Sequence, residues 1–203
     1  MTGKIILIII ISYLIGNIQT SYILGKLIAK KDIRDYGSSN AGTTNALRVF
    51  GKKIAAATLI IDLLKGVLAV YIGGKILAET GEVIAGLFVI IGHIWPVFMG
   101  FKGGKGVATS IGVGLSLTPV TALISIVIGV AILIKTKYVS LGALTAIALW
   151  PIMNLIAYLK DGRILLIAVS FVLAAIVIFK HRANIERLMN GTENKVTKKV
   201  GTD

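Results

Sequence analysis

Seven apolar segments recur along this chain with polar stretches between them, and all but the fourth have a length that suits a membrane helix. In chain order they cover residues 5–28, 54–73, 83–99, 107–117, 120–134, 138–159 and 164–179. No soluble segment of domain size remains, and 56% of the 203 residues are hydrophobic, with a mean hydropathy of +0.89. The sequence therefore predicts an all-α integral membrane protein with seven transmembrane helices, built as a single transmembrane domain over residues 1–203.

The fourth segment, residues 107–117, is short for a membrane helix, and Pro119 interrupts the chain directly after it. Segments four and five are therefore also compatible with one broken span. That alternative would reverse the orientation of every later helix.

The distribution of Lys and Arg favours one orientation. With the N-terminus outside, sixteen of the 22 basic residues fall in cytoplasmic segments and four in outside segments. Because Lys and Arg concentrate on the cytoplasmic side, we expect an outside N-terminus and a cytoplasmic C-terminus, with a basic tail at about residues 181–203. The net charge of +13 is then explained by cytoplasmic loops that face anionic lipid head groups and anionic substrates, rather than by nucleic-acid binding.

Four polar clusters fall on that cytoplasmic side: residues 37–48, 100–106, 135–140 and 181–193. A seven-helix bundle would gather them at one end. This convergence is the strongest indication of a functional site that the residues themselves give.

The glycine–lysine loop, residues 100–106, contains four glycines and two lysines. Glycines let backbone N–H groups approach a ligand, and the helix expected from Val107 would add a favourable dipole for an anion. Phosphate binding is one interpretation, although the spacing is not that of the nucleotide-hydrolase phosphate loop. The alternative is a flexible membrane turn whose lysines obey the positive-inside rule.

The segment 37–48 is rich in hydroxyl and amide side chains, which hydrogen-bond phosphate or carbonyl oxygens. Arg48 at its end can bind a phosphate with two parallel hydrogen bonds. The alternative is a capped loop, in which Ser38, Ser39 or Asn40 caps a short helix toward Arg48.

Asp62, Lys65 and His93 fall well inside the second and third predicted spans. Asp62 and Lys65 are three residues apart and share a helix face. We expect a structural ion pair, because unpaired charge is costly at membrane depth; the alternative is that Lys65 reaches the site. His93 is expected to be a hydrogen-bonded packing residue, with a catalytic role as its alternative.

The tail places His181 and Asn184 three residues apart, and Arg187 extends the same stripe if the helix continues. An amphipathic basic tail on the lipid surface is the alternative. The chain has no cysteine and only nine acidic residues, and no metal-ligand cluster or nucleophile triad is recognisable. We therefore expect no metal and no cofactor, with anion-binding groups in excess and general bases in short supply.

Together these motifs resemble those of the bacterial acyl-phosphate:glycerol-3-phosphate acyltransferases, the PlsY type. The resemblance runs from the first apolar segment into the tail. It rests on Gly37-Ser38 through Thr44-Asn45 and Arg48, on Asp62-Leu63-Leu64-Lys65-Gly66, on Gly92-His93 with residues 101–109, and on residues 181–188 with Gly191 and Glu193.

The resemblance implies a seven-helix enzyme of the bacterial inner membrane with its active site facing the cytoplasm. It would transfer a fatty acyl group from acyl phosphate to the 1-hydroxyl of sn-glycerol 3-phosphate. The products would be lysophosphatidic acid and phosphate, in the first step of phospholipid synthesis. It also implies substrate-assisted chemistry, in which a phosphate oxygen takes the hydroxyl proton. The expected partners are acyl phosphate, glycerol 3-phosphate and membrane lipids, with the chain acting as a monomer.

Matching motif positions implies a role for individual residues. The residues expected to hold phosphate and act in catalysis are Ser38, Arg48 and Lys105. The residues expected to bind substrate are Asn40, Thr43, Asn45, Gly103, Gly104, Gly106, Ser140, His181, Asn184 and Glu193. Of these, His181 and Asn184 would contact glycerol 3-phosphate, and Glu193 would orient that part of the site.

Two rival functions use the same features. A phosphate or organophosphate carrier would need anion-binding loops, but no internal repeat is visible. A non-catalytic scaffold whose basic loops bind anionic lipid does not explain the density of Ser, Asn and Thr beside Arg48.

Overall fold

The structure is a computed structural model that describes residues 1–196. Helices dominate this part of the chain and no strand occurs in it, so the all-α prediction is confirmed. Its α-helices are α1 Thr2–Gly16, α2 Thr20–Leu24, α3 Thr43–Phe50, α4 Lys52–Ile94, α5 Val107–Leu117, α6 Pro119–Thr136, α7 Val139–Tyr158, α8 Ile164–Lys180 and α9 Arg182–Met189.

The chain divides into two compact units, Met1–Leu117 and, as far as it is described, residues 118–196. The single-domain organisation stays a prediction, and each unit is described by itself below. The predicted basic tail of residues 181–203 is described as far as Val196. Lys198 and Lys199, which contribute to the charge bias, lie outside the described residues.

The first apolar segment is interrupted rather than continuous. α1 ends at Gly16, α2 begins at Thr20, and a π-helical turn, Gly25–Ala29, follows it. The side-chain amide of Gln19 fills the break by donating to the carbonyls of Gly16, at 3.3 Å, and His93, at 3.0 Å. Because helix ends leave carbonyl groups without intrahelical partners, this polar side chain makes the interruption tolerable inside an apolar segment.

α4 contains the second and third predicted segments, and the loop predicted at residues 74–82 is much shorter than expected. Only Leu77 and Ala78 leave helical geometry, and Ala78 has φ +43°. A Cβ added to Gly73 would meet the carbonyl oxygen of Gly81, so the chain reverses sharply and its two arms cross at a pair of glycines.

Glycines also set the packing of α1 and α5 against α4. A Cβ on Gly16 would meet the backbone around Val89 and Gly92, and one on Gly112 would meet the carbonyl oxygen of Leu63. Small residues at such crossings let helix backbones approach closely, which is the usual basis of helix association in membranes.

The second unit begins at Thr118, and Pro119 occupies the first turn of α6, where its missing N–H is not needed. Lys137 ends α6 in the left-handed conformation, with φ +64°. α6 and α7 then approach closely where Gly129 and Gly142 face each other. α8 bends by 61° into α9.

Among residues 1–196, four helical stretches have the length and apolar character to span a membrane: Thr2–Ala29, Lys52–Met99, Pro119–Thr136 and Val139–Tyr158. The bent pair Ile164–Lys180 and Arg182–Met189 makes a fifth if it is counted as one span, and α5 is shorter. The structure therefore supports several apolar membrane helices, while the count of seven and the orientation of the termini stay predictions.

Replacing Gly81 by alanine should destabilise the fold, because the added Cβ would press on the carbonyl of Gly73. We expect a loss of about 1–3 kcal/mol in the free energy of unfolding, the usual cost of overpacking. Thermal melting in detergent measures it. Gly3→Ala is the matched control, since its Cβ would meet no atom within 4 Å; equal melting temperatures for the two variants would contradict the close crossing.

Candidate active site

In the first unit, Asn45 organises the loop that carries Ser38. Its Oδ1 accepts from the N–H of Ser38 at 2.9 Å, while its Nδ2 donates to the carbonyls of Ile33 at 3.2 Å and Tyr36 at 3.0 Å. Asn45 is 1% exposed, whereas Ser38 lies at the surface. All hydrogen bonds of the Asn45 amide are thus made to the protein backbone, and they hold Ser38 at the protein surface.

The short helix toward Arg48 is confirmed, but its cap differs from the expected one. α3 begins at Thr43, its N-cap is Gly42, and no side chain makes a capping hydrogen bond. Ser38, Ser39 and Asn40 therefore do not cap α3. The hydroxyl of Thr43 is buried and has no hydrogen-bond partner within residues 1–196.

Arg48 lies in the last turn of α3 and is half-buried. No carboxylate of the described residues lies within salt-bridge distance of its guanidinium. The other arginine of this region, Arg34, is by contrast paired with Asp32 at 2.8 Å. Arg48 is therefore a cation with its fork of N–H donors uncommitted to any acid in this part of the chain.

The glycine–lysine loop turns back on the end of α4. The N–H groups of Gly103 and Gly104 donate to the carbonyls of Ile94, at 3.3 Å, and His93, at 3.1 Å. These two amides are therefore already used within the protein. The loop then leads into α5 at Val107, as expected, and the first N–H groups of a helix lack intrahelical acceptors.

The loop glycines are required by space and by backbone conformation. A Cβ on Gly103 would meet the carbonyl of His93, and a Cβ on Gly104 would meet its imidazole Nε2. Gly106 has φ +89°, a conformation that other residues rarely adopt. Lys105 is half-buried between these two positions, so its backbone is held on both sides.

Directly beside this loop lies the buried Asp62–Lys65–His93 cluster. The Lys65 ammonium lies 2.8 Å from Asp62 Oδ1 and 2.7 Å from His93 Nδ1, and Thr20 donates to the same carboxylate oxygen at 3.0 Å. The predicted ion pair is confirmed, and so is the hydrogen-bonded state of His93. All three residues of the cluster are less than 5% exposed.

In the second unit, Glu193 joins three side chains. Its Oε1 accepts from Ser140 Oγ at 2.9 Å and from Asn184 Nδ2 at 2.8 Å, and its Oε2 accepts from Arg187 Nε at 2.7 Å. The start of α7, one face of α9 and the chain beyond α9 are thereby tied together. Three of the residues expected to bind substrate, Ser140, Asn184 and Glu193, thus lie together, and Arg187 belongs to the same group.

Partial burial raises the pKa of Glu193, but the hydrogen bonds from Asn184, Arg187 and Ser140 and the charge of Arg187 outweigh it, so the pKa lies below its usual value of 4.5. Glu193 is therefore ionised at neutral pH. Both of its oxygens already accept hydrogen bonds, which suits a residue that orients its neighbours.

His181 is buried at the bend between α8 and α9, and its Nδ1 lies 2.8 Å from the carbonyl of Val177. A carbonyl only accepts, so Nδ1 carries a proton. The neutral form of this imidazole then has an acceptor at Nε2. The helix does not continue through His181 as the stripe assumed, yet Asn184 and Arg187 still share the face that meets Glu193.

Each unit thus contains part of the predicted site. The first holds Ser38, Arg48, Lys105 and the loop glycines; the second holds Ser140, His181, Asn184 and Glu193. The sequence motifs assign no role to Arg187, although its spacing from Asn184 indicates that the two residues share a helix face. Among residues 1–196 no group of three or more His, Asp or Glu could hold a metal ion.

Replacing Glu193 by glutamine should destabilise the second unit by about 1–3 kcal/mol, because Arg187 and Asn184 lose a charged acceptor. Since the pKa of Glu193 is lowered in the folded state, its stabilisation is present above the ordinary pKa and is lost as the pH falls through the folded-state value. The difference in melting temperature between the parent and Glu193→Gln should be constant from about pH 5 to 8 and shrink below about pH 4. Glu186→Gln, an exposed change on α9, is the control and should leave the melting temperature close to that of the parent. A difference in melting temperature between the parent and Glu193→Gln that disappears already near pH 6 would contradict this assignment.

Comparison with known proteins gives one consistent result. A family model described as glycerol-3-phosphate acyltransferase matches residues 6–191. A glycerol-3-phosphate acyltransferase of Thermoanaerobacter pseudethanolicus is 49% identical over 195 residues, which cover 96% of this chain and 97% of that protein. One from Clostridioides difficile is 46% identical over 200 residues, covering 96% of both.

Two crystal structures of PlsY, an integral membrane glycerol 3-phosphate acyltransferase, share this fold. The glycerol 3-phosphate form matches with a TM-score of 0.88 at 34% identity, covering 95% of this chain and 96% of that one. The lysophosphatidic acid form matches with a TM-score of 0.85. On the family match and these relatives, the chain belongs to the glycerol-3-phosphate acyltransferase family.

Proposed function

We propose that this protein transfers a fatty acyl group from acyl phosphate to the 1-hydroxyl of sn-glycerol 3-phosphate, giving lysophosphatidic acid and inorganic phosphate. The observation that carries the proposal is the match, over 95% of this chain, to PlsY in its glycerol 3-phosphate form. The choice of acyl phosphate as the donor rests on the resemblance of the sequence motifs to those of the acyl-phosphate-dependent enzymes.

The proposal assigns the acyl phosphate to the first unit. Ser38 and Arg48 hold phosphate oxygens, and Lys105 adds a second cation from the glycine–lysine loop. Asn45 acts through Ser38, whose backbone it fixes. Thr43 contributes a hydroxyl that has no hydrogen-bond partner among residues 1–196, and Asn40 belongs to the same loop. The N–H groups of Gly103 and Gly104 donate to carbonyls of α4, so the role of these two glycines is to let the loop lie close to α4. Gly106 leads into the N-terminus of α5.

The glycerol 3-phosphate is assigned to the second unit. Asn184 and His181 contact it, and Glu193 with Ser140 fixes their surroundings. Arg187 supplies positive charge near the same carboxylate.

In the transfer step, the 1-hydroxyl oxygen of glycerol 3-phosphate attacks the acyl carbonyl carbon. The carbon–oxygen bond to phosphate breaks, inorganic phosphate leaves, and a phosphate oxygen takes the hydroxyl proton. The carboxylates near the proposed site suit this substrate-assisted route, since Asp62 and Glu193 both already accept hydrogen bonds from neighbouring side chains.

Two anionic substrates repel each other strongly when water is excluded. Arg48, Lys105 and the neighbouring donors offset that repulsion and stabilise the oxyanion that develops on the acyl group. Holding the hydroxyl next to the acyl carbon contributes a further part of the rate.

We also propose seven spans in the bacterial inner membrane, with an outside N-terminus, a cytoplasmic C-terminus and the active site facing the cytoplasm. The reversal at Leu77 and Ala78 supports two passes within α4, and α5 with the bent pair α8–α9 would complete the count. The chain is proposed to act as a single domain and as a monomer.

The purified protein should release phosphate from palmitoyl phosphate only when glycerol 3-phosphate is present, and lysophosphatidic acid should appear in equal amount. Palmitoyl-CoA offered as a parallel donor should be inert, because it lacks the phosphate leaving group. Folded protein that releases no phosphate, or that works equally with palmitoyl-CoA, would contradict the proposal. The carrier alternative would then be tested by phosphate uptake into vesicles.

Replacing Lys105 by alanine should abolish this turnover while leaving folding intact, because the site loses a cation but no packed core residue. Lys102→Ala is the matched control: Lys102 is an exposed lysine of the same loop with no assigned substrate contact, and its loss should reduce turnover less than about threefold. Near-normal turnover of Lys105→Ala would refute its role.

A further inference from the structure

The buried ammonium of Lys65 has an acceptor for each of its three protons. They are Ile18 O at 2.7 Å, Asp62 Oδ1 at 2.8 Å and His93 Nδ1 at 2.7 Å. The carbonyl of Gly16 lies further away, at 3.4 Å. Three short contacts to the ammonium of a residue that is 4% exposed leave it little freedom to rotate.

This arrangement fixes the state of His93. An ammonium only donates, so Nδ1 must offer its lone pair to Lys65. Both ring nitrogens of an imidazolium carry protons, so a cationic ring could not make this contact. His93 is therefore neutral, with its proton on Nε2.

The opposite edge of the same ring faces the glycine–lysine loop. Nε2 occupies the space that a Cβ of Gly104 would need. The backbone carbonyl of His93 accepts from the N–H of Gly104 at 3.1 Å and from Gln19 Nε2 at 3.0 Å. His93 thus holds Gly104 from two sides, and the next residue along the chain is Lys105.

We propose that His93 is a positioning residue for Lys105. Asp62 and Lys65 fix its tautomer and orientation, and the Nε2–H edge of the ring then sets the position of Gly104 and thereby of the lysine. The Asp62–Lys65–His93 cluster consequently supports the anion-binding loop in addition to satisfying a buried charge. This inference rests on the proposed function in one respect, the assignment of Lys105 to the acyl phosphate.

Two substitutions separate the two edges of the ring. His93→Asn keeps an acceptor near Lys65 but does not reach Gly104, whereas His93→Gln places an amide donor where Nε2 lies. We expect His93→Gln to retain at least about tenfold more kcat/KM for acyl phosphate than His93→Asn, because only the longer side chain keeps the packing contact with Gly104. The KM for glycerol 3-phosphate should stay unchanged in both, because that substrate is assigned to the second unit. If the asparagine variant equals or exceeds the glutamine variant, His93 serves only Lys65 and the proposal is overturned.

A double-mutant cycle tests the contact itself. Gly104→Ala should reduce kcat/KM in the parent protein, because the new Cβ meets the imidazole. In the His93→Asn background the shorter side chain leaves room, so Gly104→Ala should cause little further loss. Equal fold-losses in the two backgrounds would show that the ring and the loop are independent, against the proposal.

The tautomer of His93 can be measured without any substrate. Failure of this inference is therefore distinguishable from failure of the proposed function. The chain has only two histidines, and ¹⁵N-histidine labelling with His181→Gln leaves the signal of His93 alone. The expected ¹⁵N shifts are those of a neutral ring protonated at Nε2, and they should change in Lys65→Met. A ring protonated at Nδ1 or at both nitrogens would overturn the inference.

Discussion

The placement of one positive charge, the ammonium of Lys65, constrains the whole first unit. Within a membrane segment such a group is tolerated only when its protons are all accepted. Lys65 meets this condition with the carboxylate of Asp62, the ring of His93 and a carbonyl at the break after α1. Three separate pieces of chain must therefore lie together: the α1–α2 break and both arms of α4.

The loop that binds anions in our account is built on that arrangement. It returns from the end of α4 onto His93 and Ile94, and glycines at 103 and 104 let it approach closely enough to bond their carbonyls. In the second unit a negative charge has the corresponding role, because the carboxylate of Glu193 accepts hydrogen bonds from side chains of α7 and α9. In both units a buried charge with several partners fixes the surroundings of residues assigned to substrate.

Much of this architecture could be predicted from the sequence. The helices at 107–117, 120–134, 138–159 and 164–179 were placed to within two or three residues, because polar turns or prolines bound each apolar segment. The pair Asp62–Lys65 followed from helical spacing and the cost of lone charge. The choice of Ser140, Asn184 and Glu193 as site residues came from the family motif, whereas their mutual hydrogen bonds were found only in the structure.

Other features depend on contacts between distant residues, which no local pattern contains. The break at residues 17–19 exists because Gln19 reaches a carbonyl 74 residues away. The loop predicted at 74–82 contracted to two residues because two glycines allowed the arms of α4 to cross directly. The contact between Gly104 and His93 likewise requires the loop to fold back, which spacing alone does not indicate.

The central claim is that the glycerol hydroxyl attacks the acyl carbon and displaces phosphate. Its most direct test is mass spectrometry of the products formed from palmitoyl phosphate and glycerol 3-phosphate that carries ¹⁸O in its 1-hydroxyl. The account predicts that the label appears in the ester oxygen of lysophosphatidic acid and that the released phosphate is unlabelled. Label in a phosphate product, or turnover that yields no labelled lysophosphatidic acid, would contradict it.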